Sequence, residues 1–144
     1  MKLTMFTDFG LRALMRVASD PGRAWSTGDL AAEFGISRNH LVKAVGELAR
    51  AGFLATRRGG GGGVRLARPA EQIRIGEVVR ALERGQAMAE CFRADGGTCR
   101  VRPDCRLRGI LESGRAAFLA ELDGYTLRDC ALPPLAGLMG EATA

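Results

Sequence analysis

The sequence predicts a mainly α-helical protein with one small β-hairpin. Apolar residues recur every three or four positions over most of the chain, which is the spacing of amphipathic helices. Five consecutive glycines, Gly59 to Gly63, lie between two short apolar stretches, where they favour a hairpin tip. The 144 residues suit one domain of roughly 150. Charged residues make up 26% and hydrophobic residues 47%, which excludes a disordered tail or a fibrous repeat.

The first predicted helix covers residues 3–18. Its apolar face carries Phe6, Phe9, Ala13, Leu14 and Val17. Three charged residues recur every fourth position, which places them together on another face: Asp8, Arg12 and Arg16. The Pro-Gly pair at 21–22 ends the helix.

Two short helices follow, joined by Gly-Ile-Ser at 35–37. Ser26 and Asp29 form an S-x-x-D start, and this helix stops at Gly35. Ser37 is the predicted N-cap of the next helix, which ends at residues 51–52. Two short helices packed across so tight a connection are typical of a helix-turn-helix.

The predicted hairpin comes directly after this motif, with strands at 53–56 and 64–66. A hairpin in that position predicts the wing of a winged helix-turn-helix; the alternative is an inert flexible loop. The glycines do not form a phosphate-binding P-loop, because the G-x-x-x-x-G-K-[ST] pattern is absent.

The second half begins with a helix at 75–82 and continues through residues 85–103, which show no periodicity. A long helix then runs from 105 to 122 and carries an apolar stripe: Leu107, Ile110, Leu111, Phe118 and Leu122. A long striped helix in so small a protein favours packing against a second copy, with a core helix of a monomer as the alternative. A last short helix is predicted at 126–131. These patterns divide the chain into a helix-turn-helix and hairpin unit at 1–85, an aperiodic loop at 86–104, and a long helix, the candidate for dimerisation, with a C-terminal segment at 105–144.

The charge pattern indicates an anionic partner. The net charge is +5, and residues 1–85 hold 14 basic and 8 acidic side chains against 7 and 8 in the remainder. A basic winged helix favours double-stranded DNA over a membrane. No apolar run reaches the roughly 18 residues that span a bilayer. Charges at Asp8, Arg12 and Arg16 interrupt any signal sequence, so we expect a cytoplasmic protein.

The candidate DNA contacts lie at the start of the second helix of the motif and on the wing. The start of a recognition helix reaches base edges in the major groove. Arginine binds guanine there and asparagine binds adenine, whereas Lys43 suits a phosphate. The predicted contacts are Ser37, Arg38, Asn39, His40 and Lys43 on the helix, and Arg57, Arg58 and Arg65 on the wing.

Three of the four cysteines lie in the aperiodic stretch, as Cys91, Cys99 and Cys105. Thiolates bind zinc, copper(I) or iron-sulfur clusters. The spacing C-x7-C-x5-C lacks the close cysteine pair of common zinc sites. Three thiols leave one ligand to be found among Cys130, His40 or a carboxylate, and a loop of unliganded cysteines is the alternative. A cysteine-dependent enzyme is not expected, because the sole histidine lies in the recognition helix and supplies no base.

Several segments together resemble an NsrR-type nitric-oxide-sensing repressor. They are KLTMFTDFGLRAL, FGISRNHLVKAVGELARAGFL, IRIGEVVRALE, the cysteine loop ending PDCRLRGIL, and AFLAELDGYTLRD, which span about residues 2–130. This type belongs to the iron-sulfur winged-helix regulators that also include the IscR type. The wing differs from that of many relatives, which carry Lys or Asn among the glycines.

The resemblance implies a set of cluster ligands. Cys91, Cys99 and Cys105 match the three cluster cysteines, and Asp8 matches an aspartate that ligates the cluster of the partner subunit. The implied cofactor is a [4Fe-4S] cluster, with [2Fe-2S] as the alternative. The IscR type carries a histidine where this chain has Leu107. Arg58 matches a wing arginine that enters the minor groove.

The implied function is a homodimeric repressor of a palindromic operator that leaves DNA when nitric oxide attacks its cluster. One alternative is a relative that senses iron-sulfur or redox status, and another is a DNA-binding protein with structural zinc. Asp8 also has a simpler interpretation, since Arg12 lies four residues further along the helix and can pair with it.

Overall fold

The computed structural model describes residues 2–133 and confirms a mainly helical protein with one antiparallel hairpin. The helices are α1 (Met5–Ser19), α2 (Thr27–Phe34), α3 (Arg38–Arg50), α4 (Ile75–Leu82) and α5 (Arg106–Asp123). The strands are β1 (Leu54–Arg57) and β2 (Gly63–Leu66), which pair with Thr56 opposite Val64. Residues 134–144 of the predicted third unit lie outside the described residues.

The core lies where α1, α3 and α4 meet. Fully buried side chains from these helices include Leu14, Leu41, Leu48 and Val78. Gly10 permits the approach of α1 to α4, because a Cβ there would lie 2.6 Å from Leu82 Cδ1. On α1 the predicted apolar face is the one that packs, with Ala13, Leu14 and Val17 fully buried.

Ser26 caps the start of α2, and Gly35 ends it at the turn of the helix-turn-helix. Gly35 adopts a left-handed conformation, φ 62°, which a residue with a side chain rarely does. The hydroxyl of Ser26 accepts a hydrogen bond from Asp29 N at 2.9 Å, as the sequence predicts. Ser37 occupies the N-cap position of α3, but its hydroxyl makes no capping hydrogen bond.

One charged residue of α1 does not lie on a solvent face. Arg16 shares a face with Asp8 and Arg12, yet only 3% of its side chain is exposed. Its Nε donates to Glu33 Oε1 at 2.7 Å and its Nη1 donates to Pro133 O at 2.8 Å. The partners on α2 and near the chain end satisfy the charge, so the helical period alone could not place it.

The segment after α5 packs back on α1. The short last helix is a 3₁₀ helix, Leu127–Cys130, rather than an α-helix, and it begins with the capping box of Thr126 and Asp129. Leu127 is fully buried in the core. Among residues 2–133, no helix is both long and apolar enough to cross a membrane.

Candidate DNA interface and cysteine site

The start of α3 presents the predicted DNA contacts to solvent. One side of the helix packs inward through Leu41, Ala44, Val45 and Leu48. The side chains of Ser37, Arg38, Asn39, His40 and Lys43 are all exposed. The structure therefore brings these five together on one accessible surface at the start of a helix, as contact with a DNA groove requires.

His40 also contacts α1. Its ring stacks on Phe9 with centroids 6.4 Å apart and planes inclined by 23°. Phe9 directly follows Asp8 in the chain. The contact joins the predicted recognition helix to the turn that carries the predicted aspartate ligand.

The wing is tightly turned. Gly62 N donates to Gly59 O at 2.9 Å, and a Cβ at Gly62 would lie 2.3 Å from Arg57 O. The glycines therefore allow the close turn that joins the two strands of the hairpin.

Three arginines on the hairpin are exposed. Arg57 and Arg58 lie at the end of β1 beside the glycine turn, whereas Arg65 lies on β2 and donates to Gly22 O. Arg65 is thereby tied to the loop before α2. Its remaining donors stay available to a phosphate.

The cysteine loop is folded by its own hydrogen bonds. The Glu90 carboxylate accepts from Thr98 N at 2.9 Å and from Thr98 Oγ1 at 2.6 Å. These bonds lower the pKa of Glu90. Because Glu90 adjoins Cys91 and Thr98 adjoins Cys99, the same bonds place the two cysteines on neighbouring stretches of backbone.

Cys105 lies at the N-cap of α5 and makes no capping hydrogen bond through its side chain. The first turns of that helix are tied to the loop by Arg108, whose guanidinium carbon lies 5.4 Å from the centre of the Phe92 ring. Arg108 Nε is buried and has no hydrogen-bond partner among the described residues.

The donor chemistry of the loop fits a metal cluster. All four cysteines are free thiols, and Cys91, Cys99 and Cys105 are half-buried. Within residues 2–133, however, the chain gathers no three histidine, cysteine, aspartate or glutamate side chains into a metal-binding group. The single chain therefore supplies suitable thiol donors on one loop but does not bring three of them close enough together to hold a metal.

Asp8 and Cys130 interact with residues outside the cysteine loop. Asp8 pairs with Arg12 through contacts of 2.8 and 3.1 Å, and both side chains are more than a third exposed. The simpler interpretation of Asp8 is therefore realised in the single chain. Burial raises the pKa of the Cys130 thiol, and its sulfur lies 3.5 Å from Leu127 O.

The predicted dimerisation helix leaves its apolar stripe open. Leu107 is 57% exposed and Ile110 65% exposed, and Phe118 is also exposed. Only Leu119 of α5 is buried, against α4. A helix that exposes this much apolar surface in one chain is suited to pack against another.

A buried carboxylate, Glu83, was missed by sequence reasoning. Its oxygen accepts hydrogen bonds from Thr4 and Thr7, which lie 79 and 76 residues away. No local pattern signals a pair so distant in sequence.

A family model described as an iron-dependent transcriptional regulator, Rrf2, matches residues 3–132. The fold is similar to that of the CymR global cysteine regulator of B. subtilis, with 25% identity, a TM-score of 0.72, and 91% of this chain and 96% of that chain covered. It is similar to the oxidised form of Staphylococcus aureus CymR, with 28% identity, a TM-score of 0.68, and coverage of 89% and 94%. T. potens IscR shares the fold at 23% identity and a TM-score of 0.70, with coverage of 100% and 92%.

These matches confirm the predicted winged-helix architecture and the expectation of a regulator rather than an enzyme. Regulators of this family bind DNA and are typically dimeric. The model match covers nearly the whole chain. The chain belongs to the Rrf2 family of transcriptional regulators.

Proposed function

We propose that this protein is a dimeric repressor that holds an iron-sulfur cluster and binds a palindromic operator. It releases the operator DNA when nitric oxide reacts with the cluster. The observation that carries the proposal is the loop with three free, half-buried thiols, in a chain whose family is described as iron-dependent. Nitric oxide is proposed as the signal because the sequence resembles NsrR-type repressors.

The ligands in this proposal are Cys91, Cys99, Cys105 and Asp8 of the partner subunit. A [4Fe-4S] cluster suits this set, with [2Fe-2S] as the alternative. When bound, the cluster supplies the iron with which nitric oxide reacts. A carboxylate is a harder ligand than a thiolate and matches such iron less well, so the aspartate is the weakest member of the set.

Asp8 is available for this role because its pair with Arg12 costs little to break. Exposed pairs four residues apart on a helix contribute only about 0.3–0.5 kcal/mol. Both side chains are more than a third exposed, so solvent screens the pair further. Asp8 can therefore exchange its contact with Arg12 for a bond to iron at a small cost in free energy.

The exposed stripe of α5 provides the dimer contact. Two recognition helices read a palindrome only when a dimer holds them about one DNA turn, roughly 34 Å, apart. With Leu107, Ile110 and Phe118 buried between two copies of α5, the dimer also gains the apolar burial that the single chain lacks.

The packing of α1 on α3 supplies a route from the cluster ligand to DNA. A change at Asp8 moves Phe9, and Phe9 contacts His40 on the recognition helix. Coupling between sites typically amounts to about 1–3 kcal/mol, or 5- to 150-fold in affinity. That range is sufficient for derepression when the operator is about half saturated.

A second candidate is a regulator of the same family that responds to cysteine supply or to redox status. The similarity to CymR favours it, as does the lack of a converged metal-binding group within residues 2–133 of one chain. A related candidate is a DNA-binding protein whose thiols hold structural zinc.

The test is anaerobic purification followed by visible spectra, iron and sulfide assays, and titration with nitric oxide while DNA binding is monitored. The DNA is a fragment selected in vitro by the protein itself. We expect a brown protein whose colour fades as DNA is released. Colourless protein with stoichiometric zinc, or DNA binding that nitric oxide does not alter, would contradict the proposal.

Four variants, two of them controls, test the proposed ligands. C99S is expected to lose the cluster, whereas C130S, with its half-buried thiol outside the loop, is expected to keep it. D8A is expected to alter the spectrum or the nitric-oxide response. R12A is the matched control, because it removes the same ion pair and leaves the carboxylate.

A further inference from the structure

A buried carboxylate joins the end of α4 to the start of α1. Glu83 Oε1 accepts hydrogen bonds from Thr4 N and Thr4 Oγ1, both at 2.8 Å, and from Thr7 Oγ1. Thr7 is fully buried and Glu83 is 9% exposed. A buried carboxylate persists only where donors of this kind compensate its desolvation.

Both ends of this connection lead to predicted cluster ligands. Glu83 is the C-cap of α4. It begins the segment 83–91, here called the stem of the cysteine loop, which reaches Cys91 eight residues later. Thr4 is the N-cap of α1, and Thr7 directly precedes Asp8. One carboxylate therefore holds together the stem of the cysteine loop and the turn that carries Asp8.

We infer that Glu83 is a positioning residue that couples the cysteine loop of each chain to the first turn of α1, and that it thereby links the two cluster sites of a dimer. The second part depends on the proposed function, in which a chain gives its cysteines to one site and Asp8 to the other. A displacement at one site then reaches the other through Glu83.

The hydrogen bonds favour the charged form of Glu83. Burial raises the pKa of this carboxyl, but the bonds from Thr7 and Thr4 and the attraction of Arg115 outweigh it and hold the pKa below its ordinary value. Glu83→Gln keeps the shape and removes the charge. Thr7→Val keeps the shape at the other end and removes one donor.

Asp129 offers a matched control. Its carboxylate accepts from Thr126 N at 2.6 Å and from Thr126 Oγ1 at 3.0 Å, which repeats the chemistry of Glu83 at an exposed cap. Asp129→Asn therefore removes a carboxylate held by a threonine without touching the connection between α1 and α4.

The first test is amide hydrogen exchange on the metal-free full-length protein. In Glu83→Gln and Thr7→Val we expect exchange at least about tenfold faster both in the first turn of α1 and in residues 84–91. Asp129→Asn is expected to leave both segments unchanged. Faster exchange in α1 alone would overturn the inference, because Glu83 would then only cap that helix. If Glu83→Gln does not fold, Thr7→Val decides the same question.

The second test follows iron loss to a chelator from the cluster-loaded dimer. We expect the two sites of the wild type to lose iron cooperatively and those of Glu83→Gln to lose it independently, as two equal first-order processes. Cooperative loss in both proteins would overturn the link between sites. A protein that holds no iron would refute the proposed function, while the exchange experiment would still decide the role of Glu83 within one chain.

Discussion

Replacement of Gly76 by alanine is expected to disrupt the packing of α4 on α5. A Cβ at Gly76 would lie 2.0 Å from Asp123 Oδ1 and 2.8 Å from Leu119 O. Asp123 can swing away, but it then loses its two-point pair with Arg80, whose Nη1 contact is 2.7 Å. The backbone carbonyl of Leu119 cannot move without shifting α5.

The cost can be estimated from these contacts. Overpacking of this kind costs about 1–3 kcal/mol, and loss of the exposed pair with Arg80 adds only a small cost, because solvent screens it. Alanine recovers about 1 kcal/mol through its higher helix propensity. We expect a net loss of about 1 kcal/mol, which lowers Tm by roughly 2–4 °C in a protein of this size.

The assay is thermal and urea unfolding at fixed protein concentration, since dimerisation makes stability depend on concentration. Gly109→Ala is the control, because no atom of residues 2–133 outside its own surroundings lies within 4 Å of a Cβ at Gly109 on α5. In an Asp123→Ala background the cost of Gly76→Ala should fall, leaving only the contact with Leu119 O. Wild-type stability for Gly76→Ala, or an equal cost in both backgrounds, would refute the reasoning.

Four further predictions concern charge and assembly. The pKa of Glu83 in the folded protein lies below its ordinary 4.5, so the ionised carboxylate stabilises the fold above that pH. The difference in unfolding free energy between the wild type and Glu83→Gln should therefore shrink as the pH falls through the folded pKa. Urea unfolding at several pH values measures this difference. Glu33→Gln leaves the charge of buried Arg16 without its ionic partner and should cost about 1–3 kcal/mol in urea unfolding. Ile110→Asp should shift the protein toward monomer in analytical ultracentrifugation, because it places a charge on the exposed stripe of α5. Arg58→Gln should reduce the slope of log K for DNA against log salt by about 0.9, which filter binding at several salt concentrations measures.

Local patterns in the sequence were sufficient for most of the fold. The apolar spacing in α1 and α3, the glycine at 35 and the T-x-x-D box at 126–129 each act over a few residues, so the helices and their ends could be predicted. The short helix predicted at the end is a 3₁₀ helix of four residues, a length too short for periodicity to distinguish it from an α-helix.

The sequence predicted some features of the candidate sites and not others. The DNA contacts at the start of α3 followed from their position in the motif, and all of them are exposed. The thiols followed from their chemistry, but their spacing alone specified neither a metal nor a fourth ligand. Asp8 is paired with Arg12 in one chain, and its proposed role as a ligand requires a second chain that the sequence cannot display.

The helical and hairpin segments, the basic charge of residues 1–85 and the set of thiols could be predicted, because each depends on residue type and short-range spacing. Long-range packing, in contrast, buries Arg16 against Glu33 and brings the donors of Thr4 and Thr7 to Glu83. Those interactions join residues 17 to 79 positions apart. A carboxylate or guanidinium is placed in the interior only when the fold brings it a partner, and no local periodicity records where that partner will be.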